Sequence, residues 1–284
     1  TESYTETENY KMLHILKSYI NFIWNSKNEH GVHSPFVFDL VTKCFYNKTK
    51  YSEYQILNNY RNSLLANKNT IEVTDFGAGS RVFKSNIRQI SKIAQTAGIS
   101  PKRAELLFRI VNYFQPESIL EIGTSLGLAT SALSLGNKNS KLITLEGCPK
   151  TQNQCQLQLQ KFNIKNVECI NTEFSSYFKN FQLQSSNFQL IYFDGNHSQK
   201  ATLDYFELLL PTITNTSVWI FDDIHWSAEM ENAWEIIKKH PKVKVTIDTF
   251  QWGIVFFRAE QEKEHFVVNP FKNWSSHLFE RIKI

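Results

Sequence analysis

Several short stretches of the 284-residue chain place small or acidic residues directly after apolar runs, where chemistry is easiest to arrange. The string Glu121-Ile122-Gly123-Thr124-Ser125-Leu126-Gly127 bends on two glycines. Gly123 permits a tight turn and close approach of a ligand to the backbone, and Gly127 lets a helix start close to the strand. Amides at that helix start suit a carboxylate. The spacing is GxxxG rather than the GxGxxG that cradles a pyrophosphate, which disfavours a nicotinamide dinucleotide. Glu146, followed by Gly147, comes about twenty positions later, where an acid accepts hydrogen bonds from both hydroxyls of a ribose. Asn171-Thr172-Glu173 ends a third run; it is a candidate bracket for an adenine edge, and equally a set of helix caps. Asp194, with His197 three residues on, and the pair Asp222-Asp223 end two more runs. Carboxylates crowded at adjacent strand ends repel one another unless a cation or a proton intervenes.

The elements that must position these residues follow from periodicity. From Pro101 an amphipathic helix, PKRAELLFRIVNYF, stops before Pro116. Seven short runs rich in branched and aromatic residues then occupy 118–123, 141–147, 167–171, 189–195, 217–223, 243–249 and 253–258. Helical stretches separate the first six, so a mainly parallel sheet covered on both faces is expected. The last two runs are joined by too short a link for a parallel crossover and must form an antiparallel hairpin. In such a sheet ligands bind beyond the carboxyl ends of the strands, where the acids and glycines fall. The expected fold is therefore α/β: a Rossmann-like seven-stranded sheet, mostly parallel, with an antiparallel terminal hairpin and a mainly helical N-terminal region. The expected division is 1–100, 101–260 and a C-terminal tail at 261–284.

Residues 1–100 read as helices joined by polar loops. Over 10–24 the apolar residues Leu13, Leu16, Ile20 and Ile23 predict one buried helical stripe. Ser34-Pro35 opens a second helix as N-cap and first position, and a third covers 51–66. Charged residues make up 20% and aromatic residues 14%, as in a globular protein with a well-filled core. A net charge of +4 without a basic run gives no expectation of a nucleic-acid partner. Cys44, Cys148, Cys155 and Cys169 form no CxxC pair, consistent with a reducing cytoplasm. The polar start TESYTETENY predicts no leader, and no run reaches the length of a membrane span.

The strings LEIGTSLGLAT, LITLEG, IYFDGNH and IFDDIHW, in that order, resemble class I S-adenosylmethionine methyltransferases of the catechol O-methyltransferase-like branch. The whole chain, with HGVHSPFVFDLV and DFGAGS, also resembles an uncharacterised methyltransferase group of Bacteroidetes-type bacteria. The resemblance implies a catalytic domain at 101–260 that binds S-adenosyl-L-methionine and methylates a small aromatic or hydroxylated acceptor, on oxygen in the branch's manner, with nitrogen of a protein or nucleic acid as the alternative. It implies that Glu121, Gly123, Thr124, Ser125 and Gly127 surround the methionine part. Glu146 and Gly147 meet the ribose, while Thr172 and Glu173 flank the adenine. Asp194, Asp222 and Asp223 match positions that hold a divalent cation such as Mg²⁺ in the metal-dependent members, although Asp-Asn is commoner at the second place. Such a cation would lower the acceptor hydroxyl's pKa; alternatively Asp222 and Asp223 cap the next helix and Asp194 contacts the cofactor amine. His197 falls near the position of a catalytic lysine, and with Asp194 is the catalytic candidate, an imidazole able to take a proton at neutral pH. A cofactor-binding module without turnover remains the alternative of another class.

Other features invite sharper readings than their surroundings support. Asp75-Phe76-Gly77-Ala78-Gly79-Ser80 looks like a second glycine loop but lacks the α/β units around it, so a turn against the main domain is expected. His30 and His33 flank a turn, a poor metal scaffold but a possible edge of a substrate lid. Trp226 and Trp252 are candidates for an aromatic acceptor pocket or for core.

Overall fold

The computed structural model describes residues 2–74, 85–180 and 187–271. In chain order its elements begin with α1 (Glu2–Asn25), α2 (Pro35–Asp39), α3 (Glu53–Ala66), the short strands β1 (Thr70–Glu72) and β2 (Ile87–Gln89), α4 (Ile90–Thr96) and α5 (Pro101–Phe114). The alternating part follows: β3 (Ser118–Ile122), α6 (Leu128–Gly136), β4 (Lys141–Glu146), α7 (Pro149–Lys161), β5 (Val167–Asn171), α8 (Phe174–Asn180), β6 (Leu190–Phe193), α9 (Gln199–Leu209), β7 (Val218–Asp222), α10 (Ala228–Lys239), β8 (Val245–Asp248), β9 (Trp252–Phe256) and β10 (Glu264–Val267).

The large sheet has the order β10-β8-β9-β7-β6-β3-β4-β5. Its ladders are parallel except where β9 lies between β7 and β8. The seven expected strands and the antiparallel hairpin are present, with β9 inserted beside β7. An eighth strand, β10, pairs with β8 and takes up part of the stretch expected to be tail. The sheet is buried on both faces. Ile119, Leu142, Tyr192, Ile220 and Ile254 pack with the N-terminal helices and with α5 and α6. Leu120, Ile143, Ile191, Trp219 and Phe221 face α8, α9 and α10. Residues 1–100 are thus one layer of a shared core.

Local signals explain the boundaries. Ser34, Ser100, Ser198 and Ser227 each accept a backbone N–H from their helix, and proline follows Ser34 and Ser100. Gln115, at φ 48°, turns α5 off before Pro116. α1 departs from the expectation. Leu13, Leu16 and Ile20 are 52%, 50% and 57% exposed, and Ile23 is only half-buried. The helix docks through its other side: Tyr19 and Phe22 pack on Phe250, and Ser18 donates to Glu231 of α10 at 3.1 Å. A polar anchor and two aromatic rings outweigh the aliphatic row, which periodicity alone weighs more heavily.

No helix among the described residues is long and apolar enough to cross a membrane. α5 packs closely on α6 at Gly136. A Cβ on Gly136 would lie 2.6 Å from Val111 Cβ and 2.8 Å from the Phe108 carbonyl oxygen. Gly136→Ala should therefore cost about 1–3 kcal/mol, as overpacked cores do. Urea unfolding with an unchanged midpoint would contradict this packing.

Candidate functional site

The chain reverses its direction of travel across the sheet at β3: β4 and β5 lie on one side of it, β6 and β7 on the other. The crevice beyond the carboxyl ends of β3 and β6 is where open α/β sheets bind ligands. The backbone is tightest there. Gly123 and Gly127 hold φ of 102° and 78°, and Ser125, Asn196, Asp223 and Phe250, all beyond carboxyl ends at this edge, also take positive φ. Non-glycine residues in that region cost free energy and cluster where geometry matters. At Gly123 a Cβ would meet the Asp194 carbonyl oxygen at 2.4 Å, so the β3 and β6 turns touch. At Gly127 it would strike Cys155 Sγ and Tyr60 Oη, both at 2.5 Å.

The glycine bend is tied to the acid of the next strand. Glu146 Oε2 accepts the Ser125 N–H at 2.8 Å and its Oε1 accepts the Cys148 N–H at 2.9 Å. Asn171 Nδ2 donates to the Glu146 and Gly147 carbonyls at 2.8 and 3.2 Å, fixing that strand end from β5. Thr172 N–H also donates to the Glu146 carbonyl at 3.0 Å, and Glu173 beside it is exposed. Gly123, Thr124, Ser125, Gly127, Glu146, Gly147, Thr172 and Glu173 are thereby brought to one end of the sheet.

Glu121 works from below. It is fully buried, and its Oε2 accepts hydroxyls of Thr130 and Thr144, each at 2.6 Å. Thr144 Oγ1 lies 2.5 Å from Thr124 Oγ1, which carries the link into the bend. Its Oε1 is buried with no hydrogen-bond partner among the described residues. Burial pushes this carboxyl up to about 8, against the two threonine bonds that favour ionisation. Tyr60 of α3 donates to the Leu126 carbonyl at 2.9 Å, so an N-terminal helix also supports the bend.

On the other side of the crevice the acids have partners within the chain. His197 Nε2 lies 3.5 Å from Asp194 Oδ1. Burial works against the imidazolium, but the Asp194 hydrogen bond and the charges of Asp223 and Asp222 outweigh it and raise the ring to about 9. The neighbouring carboxylates thus favour the protonated ring. Asp222 is ion-paired with Arg103 and accepts the Asp223 N–H at 2.9 Å. Arg103 sits in the first turn of α5, a helix that runs back toward the start of β3 and so begins at the edge where β3 ends. Its guanidinium lies 4.9 Å from the centre of the Trp252 ring. Burial opposes its charge, and the nearby carboxylates keep its pKa above the ordinary value all the same.

The described residues hold no group of three or more His, Cys, Asp or Glu side chains able to bind a metal ion. Arg103 already engages the Asp222 carboxylate. Trp252 is buried, sandwiched between Arg103 and Tyr192, rather than lining a pocket. His30 and His33 are exposed, with Glu29 3.9 Å from His30. Residues 75–80, the DFGAGS loop, lie outside the described residues. Sequence reasoning missed Arg103, Tyr60 and the bracing role of Asn171. Only Asn171 carried a signal, as a polar residue at a strand end.

A carboxyl held neutral by burial has a pH signature. Its contribution to stability is present below the unfolded value near 4.5 and is lost as pH rises through about 8. The ligand-free protein should lose melting temperature between those values, and Glu121→Gln should lose less. Parallel melting curves for the two proteins would refute the buried neutral acid.

Against this geometry the comparisons with known proteins can be set. Residues 120–224 match the family described as a methyltransferase domain. None of the curated proteins compared matches the sequence. Among solved structures, the chain is similar to the O-methyltransferase from Bacillus cereus in complex with S-adenosylhomocysteine, with 17% identity, 74% of this chain and 92% of that one covered, and a TM-score of 0.51. It is similar to the S-adenosylhomocysteine-bound methyltransferase PaMTH1 of Podospora anserina at 13% identity, with coverage of 80% and 97% and a TM-score of 0.54. The O-methyltransferase TomG of Streptomyces achromogenes, in complex with S-adenosylmethionine, aligns at 15% identity over 57% of this chain and 82% of its own, with a TM-score of 0.50. These likenesses agree with the strand order and the inserted β9 in fold, and the family match falls on the strands that carry the glycine bend, Glu146, Asp194 and Asp222. Residues 120–224, just over a third of the chain, thus match a methyltransferase domain, and the surrounding fold is similar to that of the solved methyltransferases.

Proposed function

We propose that this domain transfers a methyl group from S-adenosylmethionine to an oxygen of a small hydroxylated acceptor. The observation that carries the reading is the joined bend and acid at the carboxyl edge, where Glu146 holds the Ser125 amide at 2.8 Å beside two glycines with positive φ. Each oxygen of Glu146 accepts a backbone N–H, so the carboxylate is oriented in advance for ribose hydroxyls. Gly123, Thr124, Ser125 and Gly127 surround the methionine part, with Gly147 beside the ribose and Thr172 and Glu173 beside the adenine. Glu121 supports the bend from beneath, and its unpartnered Oε1 is an acceptor within that support. Bound there, the cofactor supplies an electrophilic methyl on a sulfonium.

The remaining work belongs to the chain. Asp194 and His197, next to the β3 turn, receive the acceptor hydroxyl, and the carboxylate of that pair is the base to which the proton passes. Positioning of the nucleophile in line with the methyl contributes much of the rate in such a transfer. Exclusion of water helps as well, because charge is neutralised on the way to the transition state. A small cavity of about 10 Å³, bordered by Gly195, His197, Thr202, Tyr205, Asp222 and Met230, lies beside the pair. An oxygen acceptor is also in keeping with the two O-methyltransferases among the similar structures.

Transfer of labelled methyl groups from the cofactor should place label in a small-molecule extract. Label confined to RNA or protein, or no label despite cofactor binding, would replace this reading by nucleic-acid or protein methylation, or by a binding module. Glu146→Ala should weaken S-adenosylhomocysteine binding about tenfold to a hundredfold, the range for bonds to a charged group. Unchanged affinity by calorimetry would remove Glu146 from the ribose.

A further inference from the structure

The ends of β6 and β7 bring three acids together, and like carboxylates at adjacent strand ends destabilise one another. Asp194, Asp222 and Asp223 lie close enough to Arg103 for each to act on its charge. Asp222 bonds it directly, through one terminal nitrogen of the guanidinium. Arg103 is 8% exposed, a degree of burial at which arginine is otherwise fully paired. Its Nε–H has no hydrogen-bond partner among the described residues. The guanidinium offers five donors in a planar fork. One terminal nitrogen is thus committed to Asp222, which itself lines the cavity beside His197, and a buried donor is left over on the same guanidinium.

We propose that Arg103 is the resident cation of the acceptor site, replacing a divalent metal, and that its uncommitted donor binds the acceptor oxygen undergoing methylation. The inference rests on the methyl-transfer reading and adds to it the identity of the charge that steers the acceptor. In the step itself the hydroxyl proton passes to the Asp194 carboxylate. An oxygen lone pair then forms the new O–CH₃ bond as the S–CH₃ bond breaks, and that bonding pair remains on sulfur as a neutral thioether. Arg103 stabilises the negative charge on oxygen before the new bond forms, the task a metal Lewis acid performs elsewhere. A metal chelates two vicinal oxygens, whereas an arginine fork held at one edge needs only one. Acceptors with a single hydroxyl are therefore admitted.

The test begins with the full chain stripped by a chelator. Manganese titration followed by electron paramagnetic resonance should detect no tight site, and labelled methyl transfer into the small-molecule extract should change less than about twofold on adding Mg²⁺ or Mn²⁺. Tight manganese binding by the unaltered protein, or transfer that the chelator abolishes and metal restores, would overturn the proposal. Arg103→Ala should lower transfer by about a hundredfold or more while leaving S-adenosylhomocysteine affinity within about threefold, and added guanidinium should restore at least about tenfold. Transfer retained within about threefold, or a loss that guanidinium does not relieve, would also overturn it. Arg103→Ala strands the buried Asp222. The paired variant Arg103→Gln with Asp222→Asn removes both charges, and is expected to fold, bind S-adenosylhomocysteine and fail in transfer. If the unaltered protein neither binds S-adenosylhomocysteine nor transfers label, the methyl-transfer reading fails. The manganese titration scores the cation claim in either event.

Discussion

Because its strands run almost all one way, this sheet delivers its carboxyl ends, and the acidic residues that follow them, to a single edge. Charge crowded there has to be neutralised, protonated or hydrogen-bonded, since burying an unpaired ion costs more than a fold of marginal stability can absorb. The chain uses all three solutions. Glu146 is held by two backbone amides. Glu121, lower down, is kept neutral by burial. Asp194 and Asp222 are matched by the cations of His197 and Arg103. Each solution also fixes a position, which is why the same edge is both the costliest part of the fold and the best defined.

The glycine bend shows how such positioning spreads. Its conformation depends on Glu146 from the neighbouring strand, on Thr144 and Glu121 through two hydroxyls, and on Tyr60 from a helix far back in the chain. Gly127 is required twice, by its positive φ and by the sulfur and the phenol that would meet any Cβ. A bend with this many independent supports spends little free energy becoming ordered when a ligand arrives, which is the physical content of preorganisation.

Much of this was legible in the sequence, and the reasons are local. Strand runs separated by helices, serines ahead of prolines and glycines after an apolar run all act over a few residues, so the order of β3 to β9 and the place of the bend followed directly. Charge partners do not act locally. Arg103 occupies an ordinary position in an amphipathic helix, and only the folded register of α5 against β7 brings it to Asp222, 119 residues away. His197 was recognised as chemically apt, but the carboxylates of Asp222 and Asp223 that help to raise its pKa come from another strand end. In α1 the hydrophobic row was read correctly as a row. Which face is buried was decided by Phe250 and Glu231, residues of distant elements. β10 was missed because its four residues, Glu264–Val267, two polar followed by two apolar, form too short a run to stand out.

The origin of Arg103 bears on how the domain is built. Residues 120–224 contain the bend, Glu146, Asp194 and Asp222, so the cofactor side of the edge can be assembled from the alternating strands alone. The cation that balances Asp222 comes from α5, and the phenol beneath the bend comes from α3, both ahead of that segment. The N-terminal layer therefore does more than cover one face of the sheet: it completes the charge balance of the strand ends. Movement of α5 by one turn would carry Arg103 about 5.4 Å along the axis, and Asp222 would be left buried without its counter-ion. The buried packing of α5 against α6, with no room for a methyl group at Gly136, holds that register. Tight helix packing in the core and electrostatics at the crevice are on this view a single constraint, imposed from opposite ends of one helix.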